Sequence, residues 1–139
     1  MIGKIAVFAV LGLAFVSAQE GSRSVWDGAY TADQAKRGSA LYAKECASCH
    51  GGELSGGEEA PPLAGDGFLA NWNGLTVGDL FERIRKSMPQ QRPGSLSRQT
   101  NADILSFMLQ VNQFPAGKKE METQTEVLKT IKIAPKAGN

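Results

Sequence analysis

The sequence predicts an all-α domain, and three observations support that prediction. Helix start signals occur at Thr31, Thr76 and Thr100, where a hydroxyl side chain precedes Gln or Asp by three residues. Apolar residues follow each start at helical spacing. Residues 19–115 lack a convincing apolar-polar alternation, the pattern of a half-buried strand. We therefore expect helices joined by long loops.

The first predicted helix runs from about Ala32 into the segment CASCH at residues 46–50. Thr31 and Gln34 have the spacing of a reciprocal capping box, which satisfies free amide donors at a helix start. Gly38 lies inside this helix, where glycine costs about 1 kcal/mol relative to alanine. That cost predicts that another element approaches the helix closely at this position.

The second predicted helix begins after Thr76 and ends at Met88, because the residue before Pro89 is disfavoured in the helical conformation. Met88 is therefore expected at a helix exit or in the loop that follows. The third helix is predicted to begin after Thr100. Its apolar stripe consists of Ile104, Phe107, Met108 and Val111. Residues 51–67 are rich in Gly, Pro and Glu, which predicts a loop.

Four segments are expected along the chain. Residues 1–18 combine Lys4, a twelve-residue apolar run and a small-residue cleavage pattern, as a secretory signal does. The run is shorter than the roughly 20 residues that a membrane-spanning helix needs, so we expect cleavage rather than a retained anchor. An N-terminal extension (19–30), the helical domain (31–115) and a C-terminal extension (116–139) would follow. The expected location is a bacterial periplasm, with no membrane span in the mature form.

Overall charge argues against some partners. The chain carries 15 Lys and Arg against 14 Asp and Glu, and loss of the signal would remove Lys4 and leave 14 of each sign. Long-range attraction to nucleic acid or to an anionic membrane is therefore not expected. Local basic residues bracket Met88; they are Arg83, Arg85, Lys86 and Arg92. This basic group predicts either a surface where a partner docks or an ordinary solvated face.

The segment CASCH holds both cysteines and the only histidine of the chain. A disulfide between Cys46 and Cys49 would close too short a loop to stabilise much. A thioredoxin-like pair needs a βαβ context that is not visible, and zinc would need carboxylates to complete four ligands. The spacing C-x-x-C-H is also that of covalent haem attachment. Haem c is the favoured interpretation, and the other three remain open here.

In the haem interpretation, Cys46 and Cys49 form thioethers with the haem vinyl groups, and His50 is the proximal ligand of the iron. The other ring nitrogen of His50 then needs an acceptor that fixes its tautomer and orientation. The candidates are the backbone carbonyls of Pro61 and Pro62.

The sixth iron ligand cannot be a second histidine of this chain, so methionine is the candidate. Met108 lies on the apolar stripe, where methionine is usually core filler, and Met121 lies in the C-terminal extension. Met88 is placed in a loop by Pro89. We predict Met88 as the thioether ligand, with a packing role as the alternative.

These residues give the chain a resemblance to the class I mono-haem c-type cytochromes over about residues 31–115. The matching elements are Gly38, Tyr42, CASCH, Pro62-Leu63, Phe68, Trp72, Met88-Pro89 and Phe107. The segments PPLAGDGF, DLFERIRKSMP, PGSLS and NQFPAG are also similar to haem domains associated with quinoprotein (PQQ-dependent) dehydrogenases.

The resemblance implies the cytochrome c class I fold, with three main helices and long loops that wrap the haem. It implies that the first and last helices cross at nearly a right angle, with Gly38 meeting Phe107. It also implies an aromatic donor near the haem propionates. Trp72 is the candidate for that donor, with an ordinary core position as the alternative.

An iron held by both His50 and Met88 has no vacant position, so the predicted function is single-electron transfer rather than catalysis. The expected donor is a periplasmic dehydrogenase, PQQ-dependent on the resemblance, and the expected acceptor is a terminal oxidase. The protein would act as a monomer or as a subunit of a redox complex. Two other classes remain open: a haem-based gas sensor or weak peroxidase with a labile sixth ligand, and a binding module stapled by a disulfide.

Overall fold

The computed structural model describes residues 23–138, so the predicted signal segment at residues 1–18 lies outside the described residues. Six α-helices and two short strands form the fold in this range. In chain order they are β1 (Arg23–Ser24), α1 (Ala32–Glu45), α2 (Ala47–His50), α3 (Gly65–Trp72), α4 (Val77–Ser87), α5 (Arg98–Val111), α6 (Thr125–Leu128) and β2 (Ile131–Lys132). The longest helices are α1, α4 and α5, as predicted.

Helices α1 and α5 pack with their backbones in contact at Gly38. A Cβ atom at this position would overlap the carbonyl oxygen of Asp103 and would lie 3.0 Å from the Cβ of Phe107. The rings of Tyr42 and Phe107 pack beside this contact, with centroids 5.4 Å apart. The predicted close approach is therefore confirmed. Its tightest partner is the backbone of Asp103, with the Phe107 side chain next to it.

The start of α1 differs from the predicted capping box. The Thr31 hydroxyl accepts the Gln34 N–H at 3.2 Å, as expected. The Gln34 side chain is fully buried and exchanges two hydrogen bonds with the main chain of Met121 instead. The predicted return hydrogen bond, from the Thr31 N–H to the Gln34 side chain, is wrong. The main chain of Met121, in the C-terminal extension, binds that side chain instead.

The other two main helices begin close to their predicted positions. A capping box between Thr76 and Asp79 opens α4, and the N–H of Met88 ends it on the Ile84 carbonyl at 2.9 Å. Helix α5 begins at Arg98 rather than after Thr100. The earlier start follows from Ser97, whose hydroxyl accepts the Thr100 N–H at 3.0 Å.

Helix α3 was not predicted, because part of it falls in the segment interpreted as a loop. Gly65 and Gly67 lower its helical propensity, and it spans only 8 residues. Its stability comes from packing, since Phe68 is fully buried in the core. Helix α3 ends at Trp72 and so delivers that side chain to the region between CASCH and α4.

The two extensions pack against each other and against the domain. Strands β1 and β2 pair in parallel, with Arg23 opposite Ile131. The Trp26 indole N–H donates to the Ala134 carbonyl at 2.9 Å, and the Tyr30 hydroxyl donates to the Phe114 carbonyl at 2.6 Å. These links extend the fold beyond the predicted core range.

The C-terminal extension buries most of its predicted apolar segment. Leu128, Ile131 and Ile133 belong to the core, whereas Val127 is 37% exposed. None of the helices within residues 23–138 has both the length and the apolar character needed to cross a bilayer.

Candidate haem-binding site

The CASCH segment continues directly from α1 through a change of direction at Cys46. The N–H of Cys46 ends α1 on the Tyr42 carbonyl at 2.9 Å, and the N–H of His50 returns to the Cys46 carbonyl at 3.0 Å. The Tyr42 hydroxyl donates to the Gly51 carbonyl at 2.7 Å, immediately after the histidine. The two ends of the segment are therefore both held by Tyr42, which lies in the core.

His50 has one ring nitrogen bound and the other available. Its side chain is buried, and its Nδ1 donates to the Pro61 carbonyl at 2.9 Å. This bond confirms the expectation that Pro61 or Pro62 supplies the acceptor. With the proton on Nδ1, Nε2 carries the lone pair that a metal ligand needs.

The loop that supplies Pro61 is held by an asparagine that sequence reasoning missed as a site residue. The Asn112 side chain donates to the Leu63 carbonyl at 2.9 Å and to the Met108 carbonyl at 2.8 Å, and it accepts the Gly65 N–H at 2.9 Å. It therefore fixes the entry to α3 against the end of α5. Nothing in the sequence indicated this contact across 49 residues.

Met88 reaches the site from the end of α4. Its backbone is extended, which turns the chain out of the helix, and Pro89 after it is buried. Met108 of α5 also lines the site and is almost fully buried. Met121 is buried elsewhere, on the side of α1 where Gln34 binds its main chain. The three methionines therefore divide into two that border the site and one that does not.

Trp72 borders the site and is half-buried. Among the described residues, none accepts a hydrogen bond from its indole N–H. Trp26 differs, because its N–H is bound to the Ala134 carbonyl at 2.9 Å. Trp72 therefore borders the site with its N–H unused by the protein, which is compatible with the predicted propionate role.

All five predicted site residues line one cavity of about 440 Å³, here called the haem cavity. They are Cys46, Cys49, His50, Trp72 and Met88. Its apolar walls come from Pro62, Leu63, Leu80, Ile84, Ile104 and Met108. A volume of this size with apolar walls and a few converging polar groups is typical of a cofactor site.

The donor set of the haem cavity fits haem c better than the alternatives. Within residues 23–138, no three His, Cys, Asp or Glu side chains cluster as a metal site would, which counts against zinc. Cys46 and Cys49 are not bonded to each other. Burial, with a smaller contribution from the Glu45 carboxylate, raises the pKa of the Cys46 thiol to about 11. These surroundings favour a neutral sulfur, such as a thioether, over a thiolate.

The basic group around Met88 is divided between two places. Arg85 and Lys86 both bind Glu82, at 2.9 and 3.0 Å, on a different recess of the surface. Arg92 binds Glu45 at 2.6 Å, and Arg83 lines the haem cavity. The four residues therefore do not all border the haem cavity, since Arg85 and Lys86 belong to another ion-pair network. A docking role for the basic group stays a prediction.

Comparison with known proteins identifies this type of site. A family model described as cytochrome c oxidase, cbb3-type, subunit III matches residues 33–108. No curated protein matches the chain. The structure is similar to the crystal structure of the sulfane dehydrogenase SoxCD from Paracoccus pantotrophus, with a TM-score of 0.51 and 24% identity. That similarity covers 93% of this chain and 68% of the other, and it supports the predicted cytochrome c fold.

Proposed function

The chain belongs to the cytochrome c family described as cytochrome c oxidase, cbb3-type, subunit III, and we propose that it carries single electrons on a haem c with His50 and Met88 as axial ligands. Family membership implies haem c and electron transfer; the ligand pair is the proposal. One observation supports it above the others. His50 and Met88 come from separate elements, yet both line the apolar cavity that also contains Cys46 and Cys49.

Each residue of the haem cavity has a role in this proposal. Bound haem c supplies an iron that changes between the ferrous and ferric states by one electron. His50, oriented by the Pro61 carbonyl, would hold the iron through Nε2, and Met88 would supply its thioether as the second protein ligand. The apolar walls keep water away from the iron, and a His/Met pair raises the reduction potential. Trp72 would donate its indole N–H, which no described residue binds, to a haem propionate.

Location and partners extend the proposal. We infer export to a periplasm through the predicted signal, a dehydrogenase as electron donor and a terminal oxidase as acceptor. Support for a dehydrogenase comes from the similarity to PQQ-dependent dehydrogenase haem domains and from the sulfane dehydrogenase named above. The chain would act either as a free carrier or as a subunit of such a complex.

The ligand proposal is tested by the optical spectrum of the dithionite-reduced mature protein with and without carbon monoxide. We expect a low-spin c-type spectrum that carbon monoxide does not change. Met88→Ala should become responsive, because it removes the sixth ligand. Met108→Leu, which changes the second methionine of the haem cavity, should stay unresponsive. Immediate binding of carbon monoxide by the unmutated protein would favour the gas sensor or weak peroxidase.

A further inference from the structure

An ion pair joins the two sides of the haem cavity. Glu45 is the last residue of α1, directly before Cys46, and Arg92 lies four residues after Met88 in the loop between α4 and α5. The guanidinium of Arg92 donates to the Glu45 carboxylate at 2.6 Å. Lys44 approaches the same carboxylate only to 3.7 Å. The pair therefore connects the helix that leads to the cysteines with the loop that follows the methionine.

Apart from this ion pair, the loop is attached through buried Pro89 and through the Asn101 side chain of α5, which donates to the Leu96 carbonyl at 3.2 Å. The Arg92 N–H binds the Pro89 carbonyl at 2.8 Å, and the Ser95 N–H binds the Arg92 carbonyl at 3.2 Å, so these bonds stay within the loop. The side chains between residues 90 and 95 are exposed. In the part of the chain that the structure describes, no other side-chain hydrogen bond links residues 89–96 to α1. Arg92 is the point at which the loop is tied to α1.

The two side chains of the ion pair differ in their exposure to solvent. The Glu45 side chain is 9% exposed and lines the haem cavity, whereas the Arg92 side chain is 59% exposed. A carboxylate that has lost most of its water needs a charged partner. Loss of Arg92 would leave Glu45 with the more distant Lys44. The arrangement therefore favours the loop position in which Arg92 reaches Glu45.

We propose that Glu45 and Arg92 form a clasp that holds the Met88 loop against α1 and so limits how often Met88 leaves the iron. This inference rests on the proposed His50 and Met88 ligation. Both residues act through Met88 and are positioning residues. Movement of the loop far enough to release the Met88 sulfur would stretch or break the 2.6 Å contact. The clasp thus sets the lability of the sixth ligand.

Imidazole binding to the ferric mature protein tests the clasp. Added imidazole binds only to the form from which Met88 has left, so its apparent affinity follows the population of that form. A pair with one partly exposed partner contributes about 1 kcal/mol, so Arg92→Gln should increase imidazole affinity about three- to tenfold. Arg92→Lys, which keeps the charge, should lie between Arg92→Gln and the unmutated protein.

Arg85→Gln is the matched control. Arg85 lies only three residues before Met88 and makes two 2.9 Å hydrogen bonds to Glu82, but it does not line the haem cavity. Its replacement removes a charge close to Met88 in the chain and should leave imidazole affinity unchanged within twofold. If the Arg92 effect works through Glu45, Glu45→Gln and the double variant should show non-additive effects.

Two results would overturn the clasp in distinguishable ways. Equal imidazole affinities in Arg92→Gln, Arg85→Gln and the unmutated protein would reject the clasp alone, provided that Met88→Ala binds imidazole far more tightly. If Met88→Ala and the unmutated protein had the same affinity, the proposed ligand would be wrong and the clasp with it. Hydrogen exchange at the Arg92 and Ser95 amides gives a second readout. It should be faster in Arg92→Gln than in Arg85→Gln, and equal exchange would contradict a tethered loop.

Discussion

The haem cavity and a second recess both border α4, and they differ in how their polar groups are used. The second recess, here called the charged recess, has a volume of about 750 Å³. Its lining residues are Asp79, Glu82, Arg85, Lys86, Arg98, Gln124, Thr125, Glu126 and Lys129. Glu82 is bound there by Arg85, Lys86 and Thr125. The haem cavity is smaller and mostly apolar, but His50 and Trp72 each keep a ring nitrogen without a partner among the described residues.

The two regions also differ in the direction in which they shift the pKa of their ionisable side chains. In the charged recess, the hydrogen bonds from Arg85 and then from Thr125 hold the pKa of Glu82 well below its usual range. In the haem cavity, burial raises the pKa of the Cys46 thiol. The charged recess stabilises a charge with its own residues. The haem cavity disfavours charge and leaves the Nε2 lone pair of His50 and the indole N–H of Trp72 without a partner among the described residues. We conclude that polar groups without a protein partner in an apolar setting, rather than recess size, mark the cofactor site.

The largest expected effect is on covalent haem attachment, which should depend on the haem cavity and not on the charged recess. The double variant that carries both Cys46→Ser and Cys49→Ser should have no haem that stays attached to the protein after denaturation. Glu82→Gln in the charged recess should leave haem attachment intact. Mass spectrometry of the denatured mature protein measures both. A covalent haem retained by the double cysteine variant would refute the role assigned to CASCH.

The next effect concerns the helix packing on which both regions depend. Helix α5 contributes Arg98 to the charged recess and Met108 to the haem cavity, so its position against α1 fixes both. Gly38→Ala would push a methyl group into the Asp103 carbonyl and should cost about 3 kcal/mol of unfolding free energy, the upper part of the overpacking range. Denaturant unfolding of the haem protein measures this.

Gly52→Ala is the control for that substitution, since a Cβ atom at this position would have no neighbouring atom within 4 Å and the φ of Gly52 is not left-handed. It should change stability by less than about 0.5 kcal/mol. Equal stabilities of the two variants would mean that the α1 and α5 backbones are not in the contact described above.

A smaller effect is expected from the charged recess, and it depends on pH. The folded pKa of Glu82 is lowered, so its stabilisation is present above the unfolded value of about 4.3 and is lost as the pH falls below it. At pH 7, Glu82→Gln should lower the unfolding free energy by about 1 kcal/mol. The difference from the unmutated protein should shrink below about pH 4.3. A difference that stays constant from about pH 7 to about pH 3 would contradict the ionised network.

The smallest effect distinguishes the two tryptophans. Trp72→Phe keeps an aromatic ring but removes the N–H proposed for the propionate, so it should shift the reduction potential with little change in stability. Trp26→Phe loses the bond to the Ala134 carbonyl and should cost about 1 kcal/mol of stability without shifting the potential. Potentiometry and unfolding of both variants test this. A potential shift in Trp26→Phe alone would reverse the assignment.

The sequence predicted local features well because their causes are local. Thr76 and Asp79 form their capping box, Met88 ends α4 before Pro89, and Gly38 marks a close helix contact. The spacing of CASCH favoured haem c, and the family match supports that cofactor. These features depend on residues a few positions apart, or on a residue type that only one backbone environment tolerates.

The features that the sequence did not reveal depend on distant contacts. Gln34 binds Met121, 87 residues away, and Asn112 binds Leu63, 49 residues away. The division of the basic group depends only in part on a distant contact. Arg85 has its acid three residues away on α4, whereas Arg92 reaches Glu45 across 47 residues. Such partners become apparent only when the helices are placed in space.

The central claim is that one iron passes single electrons without changing its ligands. Spectroelectrochemical titration of the mature protein tests it most directly, because it follows the haem spectrum continuously between the reduced and oxidised states. The proposal predicts a one-electron transition with low-spin, six-coordinate spectra at both ends. A high-spin spectrum in either state, showing that His50 or Met88 is absent from the iron, would contradict it.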